Sequence, residues 1–320
     1  MAEIGTDIQR AKELLIQSNL VAIPTETVYG LAGNAFDTEA ITEIFSVKNR
    51  PFFDPLIVHT DSIEKVKSFT KEIPKDALML FQQFCPGPLT VLLPRNQKIP
   101  DLITSGLPNV AVRIPDHHLT RSLLEVLDFP LAAPSANPFG YISPTSASHV
   151  NDQLGEKIPY ILDGGSCKVG IESTIVGFEN NKAIVHRLGG MDLDLLKKYI
   201  KDIQVMEHSS SKPKAPGQLK SHYAPNKPFI LGDLTDLIRA YTPEDIAILS
   251  FCETHPVIPQ ENQLILSRTG DLKEAAKNLF SALRKLDTLP VKAILAEEVP
   301  SVGLGLAIND RLRRAAAERR

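Results

Sequence analysis

The run Val21-Ala22-Ile23-Pro24-Thr25-Glu26-Thr27-Val28-Tyr29-Gly30-Leu31 decides how the rest of the chain is read. Its first three residues predict an apolar strand, and Pro24, which has no N–H to donate, ends the pairing. Two hydroxyls and a carboxylate are thereby delivered at a strand tip, where binding residues collect. Downstream, Asp37 is placed to cap a helix whose Ala40, Ile41, Ile44 and Phe45 recur at helical spacing, and Pro51 lies just past its end. Lys48 and Arg50 then sit near the negative end of the helix dipole, read as exposed cations, and the next strand carries His59 to its own tip. Two cations beside a hydroxyl-rich strand tip suit phosphate oxygens, the guanidinium as a bidentate fork and the ammonium as a point charge. The same residues also read as dipole complements and a turn.

Short helices are expected around Ile63–Phe69 and Lys75–Phe84, then a strand at Leu89–Leu93 after the breaker Cys85-Pro86-Gly87-Pro88. In the strand Val110–Ile114, Arg113 alternates with Val112 and Ile114 and so projects from the opposite face. Leu131–Ala133 leads into Pro134-Ser135-Ala136-Asn137, and Ser143-Pro144-Thr145 is expected to open a helix. Tyr160–Leu162 and the hairpin-like pair Ser173–Gly177 and Ala183–Arg187 complete a set in which strands outnumber helices without strict alternation. An α/β fold with a mixed, twisted sheet curved around a concave site follows. From Glu207 to Pro228 the composition turns to Ser, Lys and Pro, as in a linker, although His222-Tyr223 is unusual in a passive spacer. Beyond it, strands at 229–231, 246–249, 264–266 and 293–296 alternate with helices at 272–286 and 307–317, a small Rossmann-like α/β layer. The expected domains are 1–207 and 229–320, joined by 208–228.

At 320 residues, with 43% hydrophobic and 23% charged residues, the chain has the length and composition of two ordinary globular domains. A net charge of −3 argues against stable binding to a long nucleic acid, which needs many cationic contacts to phosphate. No apolar run approaches the ~20 residues that span a bilayer, and no membrane association is expected. Thr6-x-x-Gln9 reads as a capping box rather than part of a signal peptide. Three scattered cysteines without a CxxC indicate neither a disulfide framework nor zinc, so a reducing cytoplasm is expected. There is no GxxxxGK[ST] loop and no HExxH. His117 and His118, as neighbours, are expected to face apart. Ser135, His59 and Asp163 lack the elbow motif of a hydrolase triad. Gly303-Leu304-Gly305 lacks the third glycine of a dinucleotide fingerprint, Ile308 standing in its place.

PTETVYGL at 24–31, Lys48-x-Arg50, PLIVH at 55–59, Ser135-Ala136-Asn137 and the run APGQLKSHYAP at 215–225 together resemble the YrdC-like threonylcarbamoyl-AMP synthase family. The last of these marks its two-domain members. The resemblance implies a YrdC-like sheet and synthesis of L-threonylcarbamoyl-AMP from L-threonine, bicarbonate or CO2, and ATP, with release of pyrophosphate. It implies Mg2+ travelling with ATP, no protein metal ligands, and delivery of product to the machinery that forms threonylcarbamoyladenosine in tRNA. It assigns Lys48 and Arg50 to catalysis and to the ATP. It places Thr27, His59, Arg113, Ala133 and Ser173 on threonine, and Asp54, Asn109, Ser135, Asn137, Ser143, Arg187, His222 and Tyr223 on the nucleotide, with the linker closing as a lid. Two rivals are an RNA-binding module without activity and a carbamoyl-phosphate-dependent transferase. The hydrogenase-maturation carbamoyltransferases share the early motifs but carry paired CxxC zinc modules, which this chain lacks.

Overall fold

The computed structural model describes residues 1–180, 182–206 and 222–317. Among these, eleven strands form one mixed sheet in the order Glu3–Gly5, Tyr160–Leu162, Val21–Ile23, Gly30–Asn34, Leu131–Ala132, Ile57–His59, Asn109–Arg113, Leu89–Pro94, Thr174–Glu179, Lys182–Arg187, Gln204–Val205. Val21–Ile23 and Gly30–Asn34 pair antiparallel, so the loop between them is held at the sheet's end. Thr25 ties that loop: its Oγ1 accepts from the N–H groups of Thr27 and Val28 and donates to the Val28 carbonyl at 2.6 Å. Ile57–His59 runs parallel to Asn109–Arg113 with His59 opposite Arg113, which sets the central register of the site.

Asp37 caps the helix Thr38–Lys48, and Asn49, at φ 51°, closes it in the left-handed conformation that asparagine tolerates. Two expected starts are corrected. The first helix, Ile8–Ile16, is capped by Asp7, which accepts from Gln9 and Arg10, rather than by Thr6. Ser143-Pro144-Thr145 opens no helix: Tyr29 donates to the Pro144 carbonyl and Cys167 to that of Thr145, so the segment is committed to loop pairing. Ser146 caps Ala147–Leu154 instead. The rings of His117 and His118 do not face apart but stack, with centroids 5.0 Å apart. Neither the helix His118–Glu125 nor the short one at Leu193–Lys197 was expected.

The second sheet has four parallel strands in the order Phe229–Leu231, Ala293–Ala296, Ile246–Ser250, Gln263–Ile265. The helices Leu272–Thr288 and Gly305–Ala316 pack on it. Their residues Phe280, Leu283 and Ile308 share a buried cluster with Val28, Ile142 and Ile171 from the first sheet's loops and with Tyr223. Each such side chain contributes ~1.5–3 kcal/mol by leaving water, so the two layers meet through a real core. Gly305 is architectural: a Cβ there would lie 1.9 Å from the Pro300 carbonyl. Among the described residues no helix is long and apolar enough to cross a membrane, and no group of three metal-ligating side chains occurs.

Candidate active site

The concave side of the large sheet opens into a hollow lined by Thr25, Arg50, His59, Arg113, Ser135, Glu172, Ser173, Arg187, His222 and Tyr223, with Ala133 in its wall. They arrive from several strand ends and loops, which the mixed topology gathers at one place.

Arg50 is not the exposed cation expected from its place after a helix. It is 8% exposed, donates to the carbonyls of Asp54 and Pro55 at 3.0 and 2.8 Å, and meets the Asp54 carboxylate at 2.9 Å. Lys48 is buried just behind it, donating to the carbonyls of Ser135 (2.6 Å) and Asn137. Burial first, and then the nearby Arg50 charge, hold its ammonium well below the usual lysine range.

Arg113 is held by the Glu26 carboxylate at 2.8 Å, with its Nε 3.4 Å from the Gly87 carbonyl. Glu26 is fixed in turn by the backbone N–H of Asp116. Beside it, burial and then the Arg113 charge push the His59 imidazole down to about 3, so it is neutral at physiological pH. Ser173 shares a 2.7 Å hydrogen bond with Thr90, and Arg187 forks onto its carbonyl at 3.0 and 2.9 Å and onto its hydroxyl at 3.0 Å. Ser143 donates to Glu172 at 2.6 Å.

His222 and Tyr223, expected in the linker, are buried against this hollow. His222 sets its edge to Phe139, and Tyr223 takes a left-handed φ of 66° that non-glycine residues adopt at a cost. Residues 207–221, where most of the expected linker and lid falls, lie outside the described residues.

The expected site residues therefore divide. Arg50, His59, Arg113, Ala133, Ser135, Ser173, Arg187, His222 and Tyr223 line the hollow. Thr27, Lys48, Asp54, Asn137 and Ser143 are buried but outside that lining; Thr27 hydrogen-bonds Thr25 at 2.8 Å, and Asn137 braces its own loop through the Pro138 and Tyr141 carbonyls. Asn109 lines a neighbouring hollow with Leu92, Pro108, Gly177 and His186. Sequence reasoning missed Glu172 and assigned Glu26 no partner, although Glu26 sits inside the first motif read.

The family profile described as "Telomere recombination", which joins the names Sua5, YciO and YrdC, matches residues 13–189, and the profile "Threonylcarbamoyl-AMP synthase, C-terminal domain" matches residues 191–317. The chain is 41% identical to threonylcarbamoyl-AMP synthase of Pyrococcus abyssi over 98% of its own length and 94% of that protein's. This chain belongs to the threonylcarbamoyl-AMP synthase family. The Bacillus subtilis synthase is 36% identical, covering 98% of this chain and 93% of its own. Among solved structures, Pyrococcus abyssi Sua5 complexed with L-threonine superposes with a TM-score of 0.91 at 38% identity, covering 98% of this chain and 97% of that one. Escherichia coli YciO, at 19% identity and a TM-score of 0.54, shares the fold over 59% of this synthase-family chain.

Proposed function

We infer that this chain makes L-threonylcarbamoyl-AMP from L-threonine, bicarbonate or CO2, and ATP, releasing pyrophosphate. The observation that carries the reading is a pair of hollows reached by one strand, which we read as a single trough. Asn109, Ala111 and Arg113 alternate onto one face of a single strand. Arg113 lines the first hollow and Asn109 the second, and Ile57 of the first and Leu92 of the second pack in one buried apolar cluster with Ala111 and Ile175, the floor of the proposed trough. A polar amino-acid end, a flat apolar middle and a second pocket suit an amino acid joined to a nucleotide.

In this arrangement Arg113, pre-aimed by Glu26, takes the threonine carboxylate, with His59, Ser173 and Ala133 around the side chain and Thr27 acting through its bond to Thr25 in the lining. Arg50, Ser135 and Arg187 face the phosphates, with Asp54 holding Arg50, and with Lys48 and the loops of Asn137 and Ser143 bracing the wall from behind. Adenine lies over the floor toward Asn109. The threonine amine adds to CO2 and loses a proton to give a carbamate; a carbamate oxygen then attacks the α-phosphorus and pyrophosphate leaves. With its ring held near 3, His59 serves as a neutral hydrogen-bond partner rather than as the proton acceptor. The lining offers no activated nucleophile, so catalysis rests on positioning, which is worth ~7–11 kcal/mol in well-aligned reactions, and on charge stabilisation.

Among the described residues Glu172 is the one carboxylate lining the hollow, and Arg311 and Ser143 engage it. Mg2+ would enter with the ATP, held by phosphate oxygens and water. His222 and Tyr223 against the hollow support a lid formed by the preceding segment, with 1–207 and 229–320 as the two domains. Product would pass to the tRNA-modifying transferase. Three free thiols, Cys85, Cys167 and Cys252, suit a reducing cytoplasm.

Pyrophosphate release measured with each substrate omitted tests the reading: full release should require threonine and bicarbonate together. Release without threonine would overturn it, and carbamoyl phosphate replacing bicarbonate and ATP would favour a transferase. An RNA-binding module is disfavoured by burial, because Lys48, Arg50, Arg113 and Arg187 are each 8% exposed or less.

A further inference from the structure

Two site residues, Ser173 and Arg187, are joined by three hydrogen bonds, and the groups flanking both are gripped by a residue from the other layer. Arg311, on the helix Gly305–Ala316, is fully buried. Its Nε donates to the Glu172 carboxylate at 3.1 Å, next in sequence to Ser173, and its Nη1 donates to the Leu188 carbonyl at 2.7 Å, next to Arg187. The same guanidinium lies 5.3 Å from the Tyr223 ring, whose other neighbours include Phe280 and Arg314. Asp310 holds Nη1 at 2.8 Å from behind. Arg311 is absent from the wall of the hollow, yet it touches the carboxylate in that wall and the aromatic ring that closes it.

We propose that Arg311 is a positioning residue of the synthase site: a clamp contributed by the C-terminal layer that fixes the Ser173–Arg187 pair and neutralises Glu172. The charge argument is direct. Glu172 faces a hollow that, on the reading above, receives a triphosphate, and an uncompensated carboxylate there would repel it. An ion pair removed from water is screened little, so its partner keeps that charge quiet. The geometric argument is separate. One planar fork bonding to both 172 and 188 adds a cross-layer grip to two loops already joined by the Gly190 N–H on the Glu172 carbonyl, and guanidinium geometry suits such a double grip better than an ammonium. The C-terminal layer thereby acts on nucleotide binding without contacting the nucleotide.

The proposal rests on the nucleotide reading of the hollow, and its test keeps the two apart. ATP affinity by calorimetry, kcat and KM for pyrophosphate release, and thermal stability are measured for the full chain and for Arg311→Met, Arg311→Lys, Glu172→Gln and the Arg311→Met/Glu172→Gln double variant. Asn309→Ala serves as the structural control, since Asn309 is buried on the same helix and bonds only Val299 and Ser301. Arg311→Met should weaken ATP binding by about tenfold or more, the loss expected when a charged hydrogen-bonding group leaves its partner unpaired. Adding Glu172→Gln should recover part of that loss, because the stranded charge is gone. Arg311→Lys, which keeps charge but not the double grip, should fold with near-normal stability and still bind ATP more weakly. Equal ATP affinity in Arg311→Lys and the wild type, an equal loss in Asn309→Ala at matched stability, or no recovery in the double variant would each overturn the clamp. A wild-type chain that binds no ATP would instead overturn the nucleotide reading.

Discussion

The two sheets solve opposite problems. In the four-stranded layer, Ile246-Ala247-Ile248-Leu249-Ser250 is buried throughout and apolar for four of its five residues, as a parallel strand covered on both faces requires. Its neighbour Ala293–Ala296 follows suit, while the edge strand Gln263–Ile265 is half-buried, and the buried arginines Arg284 and Arg311 sit on helices and donate to carbonyls and a carboxylate of the other layer. The eleven-stranded sheet keeps one side open, and charged groups line that side under near-complete burial. One layer is a support whose sheet interior is apolar and whose buried charges sit on helices facing the other layer; the other is a surface that must hold charge out of water and does so with paired neighbours. Burying polarity costs free energy, and here the cost falls where a ligand is expected.

The largest break in that contrast should come from Arg50→Ala. Asp54, fully buried, would lose its ion partner, and stranding such a charge costs ~3–5 kcal/mol of stability in addition to ATP binding. Adding Asp54→Asn should restore most of the stability in chemical denaturation but none of the ATP binding. On the rim of the small layer, breaking the exposed Lys292–Asp245 pair with Lys292→Ala should cost ~0–1 kcal/mol. Equal losses at the two positions would mean that the concave surface is no more demanding than ordinary surface.

A smaller effect should appear in amino-acid choice. Thr25, His59 and Ser173 give the hollow a wall rich in hydrogen-bonding groups; with threonine placed there as proposed, kcat/KM should fall from threonine to serine by ~10–200-fold for the missing methyl, and further for valine, which leaves polar groups unpaired. Valine equal to threonine would show that the wall is architecture only.

The smallest effect is a slope. His59 is neutral when folded, with its pKa down at about 3, whereas in the unfolded chain it titrates near 6.5. Below ~6.5 the unfolded state therefore binds more protons, so stability is complete above that pH and is lost as pH falls, by up to ~1.4 kcal/mol per unit down to the folded pKa. His59→Gln should flatten the change in denaturation free energy between pH 7 and pH 5. An unchanged slope would mean that the ring can reach water in the folded state.

How far the sequence could be read follows the same division. The strands of the small layer were legible within a residue or two because their apolar runs leave no alternative, and the helix Thr38–Lys48 was legible because Asp37 and Pro51 bracket it. The sheet order was not legible, since local periodicity says nothing about which of eleven short strands lie side by side. Nine of the expected site residues meet around one hollow, but nothing in the motifs says that Lys48 and Arg50 are buried: a cation after a helix reads as solvated, and the carbonyls that explain its burial come from the turn at 54 and 55 and from the distant loop at 135 and 137. Arg311 was invisible for the same reason. It lies in Asn309-Asp310-Arg311-Leu312-Arg313-Arg314, which looks like a solvent-facing helix end until its partners at 172 and 188 arrive.

The pleat of the strand Asn109–Arg113 also bears on how such a chain can change over generations. Because Asn109, Ala111 and Arg113 share a face only by alternation, one residue gained or lost within the strand would turn the groups on one side of the change into the packed interior and leave the trough without one of its ends. Substitutions can be tried there one at a time, but changes of length cannot. Insertions and deletions in descendants of this sequence are thus channelled to surface turns such as 96–98, where the strand can drift in its surroundings while its count of residues stays fixed.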